Sequence, residues 1–196
     1  VSRAASAIAA WLGSAGLALA QPAGVQHELS LSIDPQARSL HGRATSLVSL
    51  AGAFEVRLAR RLSADSLSID GRDMTSSSTE QGEFRVWRVP PRESPRRIEA
   101  RWRGEWPSLS PEGSFLAPGS GWHPEIPGAL SSWSVTLELP AGQVGLVPGR
   151  LAEEARTPSH YRARFEFPHP AEPLALMAGP YRVEERSIRT AQGKPV

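Results

Sequence analysis

The sequence carries five histidines, 20 acidic side chains and no cysteine, so its chemistry must come from imidazole, carboxylate, hydroxyl or backbone groups. Zinc-dependent hydrolysis typically uses two histidines one helical turn apart, with a glutamate next to the first. His27-Glu28 opens such a pattern, but Leu31 stands where the second histidine belongs. The surrounding run also alternates like a strand, in which residues i and i+4 lie about 13 Å apart. The motif is absent. His123, His160 and His169, with Glu125, form the other set that folding could gather into a site. They lack ligand spacing, and scattered histidines at or near the surface are the commoner outcome.

Other chemistries fare no better. Without cysteine, and without a Gly-x-Ser-x-Gly elbow, there is no recognisable nucleophile. Gly119-Ser-Gly121 reads as a flexible loop piece, because no strand and helix flank it as a phosphate cradle requires. Glu99, Glu105, Glu112 and Glu125 are available as carboxylates, yet nothing in their spacing marks a catalytic pair. Trp87, Trp102 and Trp133 sit in alternating runs and are expected in the core. Trp106 and Trp122 lie in a proline-rich loop and are the better binding candidates.

The elements that must carry these residues follow period two from Val25 onward. Val25, Leu29, Leu31 and Ile33 share one face, and Gln26, Glu28, Ser30 and Ser32 the other. Asp34-Pro-Gln-Ala-Arg38 is a turn, and Leu40–Leu50 a weaker second strand. Phe54–Leu58 and Leu62–Ile69 lead to Asp70-Gly71, a tight-turn pair. Thr75–Gly82 is polar and reads as an exposed hairpin tip. Phe84–Val89 and Arg97–Arg103 are two more strands, separated by Pro90, Pro91 and Pro95, since proline cannot donate to a ladder.

Gly104–Ser132 has no clean period and holds five prolines, at 107, 111, 118, 124 and 127. Loops this long are usually functional or disordered. Beyond it come Trp133–Leu139, Val144–Val147, Tyr161–Phe167 and Leu174–Tyr181. Trp133, Leu137, Phe165 and Phe167 fall on the apolar parity and are expected to be buried. Ala152–Arg156 has room for one helical turn. About ten short strands without helical periodicity predict an all-β domain, an antiparallel sandwich or a saddle-like pair of curved sheets.

Composition narrows the setting. Arg3, an apolar run over Ala7–Leu19 and the small-x-small pattern Ala18-Leu-Ala20 mark residues 1–20 as a signal peptide. Residues 21–186 would then form the β domain, exported to the periplasm or beyond by a bacterium and not held in the membrane after cleavage. The absence of cysteine leaves stability to packing alone. An isoelectric point near 9.6 invites a nucleic-acid reading, but the formal net charge is only +2. Arginines and carboxylates also alternate, as in Arg96–Arg103, where phosphate tracking needs a concentrated basic face. Nucleic acid is not expected as a partner.

The order of motifs resembles the amino-terminal domain of the aminopeptidase N family of zinc metallopeptidases. His27–Asp34, Leu40-His-Gly42, Ala100-Arg-Trp-Arg-Gly104 and Gly113-Ser-Phe115 occur in sequence. Trp122-His-Pro-Glu-Ile-Pro127 is similar to the family's aromatic-Pro-x-x-Asp-x-Pro segment, with Glu125 and Pro127 in the acidic and proline positions, and Ala178-Gly-Pro-Tyr181 closes the domain. The family's Ala-Arg pair and cysteine near that segment are missing, and no glutamine or glutamate in Ser114–Gly121 matches its amine-binding residue. The resemblance implies a non-catalytic wall of a peptide-substrate cleft, with Trp122, His123 and Glu125 as substrate-binding candidates. No catalytic or metal-binding residue is expected in this chain. Zinc and the Gly-x-Met-Glu-Asn loop would belong to a catalytic domain downstream, reached through a linker at 187–196. Gly179–Val196 is then a junction, and one flank of the domain should show an apolar patch. Two alternatives stand beside this: a free-standing periplasmic module that binds protein or glycan through Trp106–Gly128, and a family relative that has lost its catalytic half.

Overall fold

The computed structural model describes residues 24–93, 95–182 and 184, and every regular element among them is a strand. The segments at 1–20 and 187–196 lie outside the described residues. In chain order, β1 (Gly24–Asp34), β2 (Ser39–Ser49), β3 (Phe54–Ala59), β4 (Leu62–Ile69) and the two-residue β5 (Arg72–Asp73) come first. β6 (Thr79–Gln81), β7 (Phe84–Val89), β8 (Arg96–Glu105) and β9 (Ser114–Leu116) follow. The last third supplies β10 (Ser131–Pro140), β11 (Val144–Leu146), β12 (Arg150–Arg156), β13 (His160–Ala171) and β14 (Leu176–Gly179).

These strands form three open sheets. The largest has the order β12-β13-β10-β1-β2-β8-β4-β5, and the two small ones are β11-β14-β9 and β3-β7-β6. Alternation decides which face of the large sheet turns inward. Val25, Leu29, Leu31 and Ile33 of β1 are buried, as are Ile98, Ala100 and Trp102 of β8 and Val135, Leu137 and Leu139 of β10. Their sequence neighbours, among them Glu28, Arg101 and Glu138, face water. A single apolar core joins this inward face to both small sheets. Trp133 reaches across it, its indole N–H donating to the Pro148 carbonyl at 2.9 Å.

Four features depart from the expectations. The sheets are antiparallel except for β1 and β10, which pair in parallel with Leu31 opposite Leu137; a match between strands a hundred residues apart leaves no local trace. Ala152–Arg156 belongs to a strand and not a helical turn, with β12 adding to β13 at the sheet margin. Its charges and a bulge at Leu151/Glu153 suit an edge that must not recruit further strands. Phe167 is only half-buried and stacks on Trp133 with ring centroids 4.9 Å apart. The polar stretch at Thr75–Gly82 is partly a strand, since β6 pairs with β7 through the turn at Gly82. The Asp70-Gly71 turn is as expected, with both residues at positive φ (53° and 79°), which the twist of a two-residue hairpin demands.

One glycine explains a sequence element. Gly42 of β2 lies opposite Trp102 of β8, and a Cβ there would fall 2.2 Å from the indole ring. The ring covers the space a side chain would take. Trp102 is 1% exposed and donates its indole N–H to the Trp122 carbonyl at 2.9 Å. Gly42→Ala should therefore displace the indole and lower stability by about 1–3 kcal/mol, the usual cost of overpacking. Chemical denaturation followed by tryptophan fluorescence checks this; an unchanged midpoint would mean that the indole does not lie on Gly42.

Candidate functional site

The proline-rich segment between β9 and β10 is where the chemistry-bearing residues converge. It is ordered by backbone pairing to β3. The Arg57 and Glu125 backbones exchange two hydrogen bonds, 2.8 and 2.9 Å long, and the Ala59 N–H donates to the Gly121 carbonyl at 2.8 Å. Gly119 and Gly121 both take positive φ (72° and 73°), and a Cβ on Gly121 would meet the Ala59 nitrogen at 2.7 Å. Gly119-Ser-Gly121 is thus a fitted turn and not the loose loop piece expected. Hydrogen bonding from the Gly121 and Gly119 backbones favours the charged form of the Glu125 carboxyl.

Glu125 is 8% exposed, and its carboxyl is pulled two ways. Burial pushes its pKa up to about 7 from the ordinary 4.5, while the Gly121 and Gly119 N–H groups favour the charged form and only partly offset this. Its Oε1 has no hydrogen-bond partner and faces Nε2 of His123 at 3.7 Å. The His123 ring nitrogen Nδ1 lies 3.0 Å from the Pro124 carbonyl, to which only an N–H can donate. A neutral His123 then presents the lone pair of Nε2, itself unpartnered, to the Glu125 oxygen. Burial, with a smaller contribution from His27, lowers the His123 pKa to about 3. The contact is therefore not an ion pair at neutral pH. Two facing acceptors disfavour a carboxylate there, which agrees with the raised pKa of Glu125.

His27 was not among the expected site residues, yet its odd position in Val25–Ile33 puts it on the inward parity. It is 6% exposed, bonded through Nδ1 to Ser46 Oγ at 2.7 Å across the β1–β2 ladder, and burial lowers its pKa to about 4. Its ring lies 5.6 Å from that of His123. Together His27, His123, Glu125 and Arg57 line a cavity of about 280 Å³ whose remaining wall includes Phe84, Ile126, Pro127 and Leu174. Arg57 is held by Glu55 at 2.8 Å.

The other expectations separate. Trp122 is fully buried, meets the His123 ring edge-on at 4.3 Å and keeps an unpartnered indole N–H; it backs the site and is not among the cavity-lining residues. Trp106 is buried too, with the Arg61 guanidinium 5.3 Å over its ring. Neither tryptophan offers the open ring face expected of a binding platform. His160 and His169 are exposed on β13 and do not line this cavity. Among the described residues, no three histidine, aspartate or glutamate side chains group closely enough to hold a metal ion. The unpartnered His123 Nε2 and Glu125 Oε1 can accept hydrogen bonds from a small donor within apolar walls.

Known proteins match this chain through structure. No protein-family model and no curated protein matches the sequence. An M1 zinc metallopeptidase of Deinococcus radiodurans, solved as a mutant bound to a Tyr-Ser-Ala substrate, shares the fold with a TM-score of 0.64 and 16% identity, over 86% of this chain and 46% of that one. Aminopeptidase A of Legionella pneumophila, in complex with aspartic acid, shares it with a TM-score of 0.65 and 16% identity, over 90% of this chain and 24% of that one. The chain has a fold found in M1 zinc metallopeptidases, as the order of its motifs led one to expect. It spans about half the length of one of these neighbours and a quarter of the other.

The buried cluster makes stability depend on pH in two opposed ways. The histidines, with lowered pKa values, stabilise the fold above pH 6.5 and lose that contribution as pH falls toward 4 and 3. Glu125, with a raised pKa, contributes most below pH 4.5 and loses its contribution as pH rises to about 7. Glu125→Gln keeps the shape and removes the second effect. The variant should match the parent at pH 4 and exceed it by up to about 3 kcal/mol at pH 8. Urea midpoints at the two pH values test this, and an equal offset at both would show that the carboxyl is hydrated.

Proposed function

We propose that this chain is the amino-terminal domain of an exported, aminopeptidase N-like zinc metallopeptidase, and that it walls the cleft in which a peptide is hydrolysed. The observation that carries this reading is the shared fold with M1 zinc metallopeptidases over 86–90% of the chain, in the order of motifs that the sequence displays. The neighbours are longer than this chain, which fits a domain whose partner is a catalytic domain in the same polypeptide. Zinc would be bound there, activating the water that attacks the peptide carbonyl. The part played by this domain is to exclude water and to shape the cleft. His123 and Glu125 contribute the polar spots of its wall, with Trp122 packed behind them.

The 196-residue chain, incubated with zinc and aminoacyl substrates, should show no turnover, whereas the polypeptide extended through a downstream His-Glu-x-x-His segment should hydrolyse them. Zinc-dependent hydrolysis by the short chain, or a reading frame that stops at Val196, counts against the proposal. Export follows from Ala18-Leu-Ala20, and amino-terminal sequencing of the periplasmic protein should begin at Gln21. A membrane-bound product retaining Val1 would reject the signal peptide.

A further inference from the structure

The cavity at Glu125 holds two buried acceptors to which the fold supplies no donor. His123 Nε2 and Glu125 Oε1 lie 3.7 Å apart, and neither has a hydrogen-bond partner among the described residues. Only 3% and 10% of the two side chains is exposed. Both residues line the cavity of about 280 Å³, so a donor can reach them from inside it. The Nδ1–H of His123 is directed at the Pro124 carbonyl, which fixes Nε2 as an acceptor. Leaving one buried acceptor without a donor is costly, and here two face each other. The walls around them, Phe84, Ile126, Pro127 and Leu174, are apolar. Arg57 is the only guanidinium in the lining and is already engaged by Glu55, at 2.8 and 3.3 Å. No lining residue is therefore free to balance a carboxylate at Glu125.

We propose that this cavity binds a small guanidinium- or amidinium-bearing molecule, whose planar fork donates to His123 Nε2 and Glu125 Oε1 together. The assignment concerns a ligand of this chain and does not depend on the functional reading above. Three requirements select that chemistry. The ligand must donate twice, and a guanidinium carries its N–H groups side by side in one plane. Acceptors 3.7 Å apart suit two such donors, slightly splayed, at the ordinary length of about 2.9 Å. The ligand must also be positive, because the carboxylate that accepts from it is otherwise unbalanced. Lastly, it must shed water readily to pass between apolar walls, and a guanidinium is more weakly hydrated than an ammonium. A water molecule can donate twice as well, but it brings no charge and fills little of the cavity. At about 30 Å³ per water-sized group, the volume admits roughly nine non-hydrogen atoms. The fork is thus attached to a short aryl or alkyl arm, which lies against Phe84 and Leu174. Burial raises the pKa of Glu125 to about 7, and a bound cation restores its ionised form.

Benzamidine has the required fork, charge and size. Calorimetric titration of the 196-residue chain at pH 8 should show one-to-one binding of benzamidine. Benzamide, its neutral analogue of the same shape, and benzylamine, an ammonium of similar size, should each bind more weakly by about tenfold or more. Benzamidine affinity should fall about tenfold from pH 8 to pH 6, as Glu125 takes up a proton near pH 7. His27 and His123, with pKa values of about 4 and 3, stay neutral over that interval. Arg57 stays with Glu55, whose own pKa its hydrogen bond holds down. Glu125→Gln, which keeps the fold at pH 8, should weaken benzamidine binding by about tenfold or more and abolish its pH dependence. Benzamide binding as tightly as benzamidine overturns the proposal, since the cavity then takes any flat apolar group. Equal binding of benzylamine overturns it by removing the need for a fork. Benzamidine that binds Glu125→Gln as it binds the parent lies elsewhere, and the site is wrong. No binding of any probe at millimolar concentration leaves the cavity to water and overturns the proposal as well.

Discussion

The contact on which the site depends is the indole of Trp102 lying on Gly42. It acts at two levels. Within the large sheet it fills the gap that a glycine leaves in β2, opposite the register position it occupies on β8. Beyond the sheet it donates a hydrogen bond to the Trp122 carbonyl, one residue before His123. A buried carbonyl left without a donor would cost about 1–3 kcal/mol, so the strand pairing and the site segment hold each other in place. The Arg57–Glu125 bridge anchors the same segment to the small sheet β3-β7-β6. The segment is therefore fixed from both layers, and a 29-residue stretch with no period of its own is given one conformation by its neighbours.

Much of the large sheet could be read directly, because alternation is a local signal that burial enforces. β1, β8, β10 and β13 lie where their apolar parity put them, since slipping any of them by one residue would expose its whole apolar set. Parity also contained more than was taken from it: His27 shares the inward face with Val25 and Leu29, and its buried bond to Ser46 follows from that. The order of motifs carried the fold further than any one of them, and the likeness to M1 zinc metallopeptidases holds at that level.

What was not legible depends on distant partners. Ala152-Glu-Glu-Ala-Arg156 has good intrinsic helix formers, worth a few tenths of a kcal/mol each, but a ladder with β13 offers backbone hydrogen bonds and outweighs them. The parallel pairing of β1 with β10 involves residues a hundred positions apart. Trp106 and Trp122 looked available because they sit among prolines; the folded segment turns them inward. Gly119-Ser-Gly121 looked slack for the same reason, until the Ala59 backbone and the Glu125 carboxyl gave both glycines a purpose. In each case the missing information was the identity of the neighbour, which a single sequence does not contain.

The two exposed sheet faces differ in their chemistry. The outer face of the large sheet carries charges of both signs in cross-strand contact, such as Arg103 with Asp65 and Arg162 with Glu138, each worth little on its own but together well hydrated. The outer face of β11-β14-β9 has the opposite chemistry in the same architecture. Neither difference is required by the core, because both sheets bury one apolar face against it. Selection for solubility alone would make the two outer faces alike. The apolar outer face of β11-β14-β9 and the acceptor-lined cavity at Glu125 are the departures from that expectation.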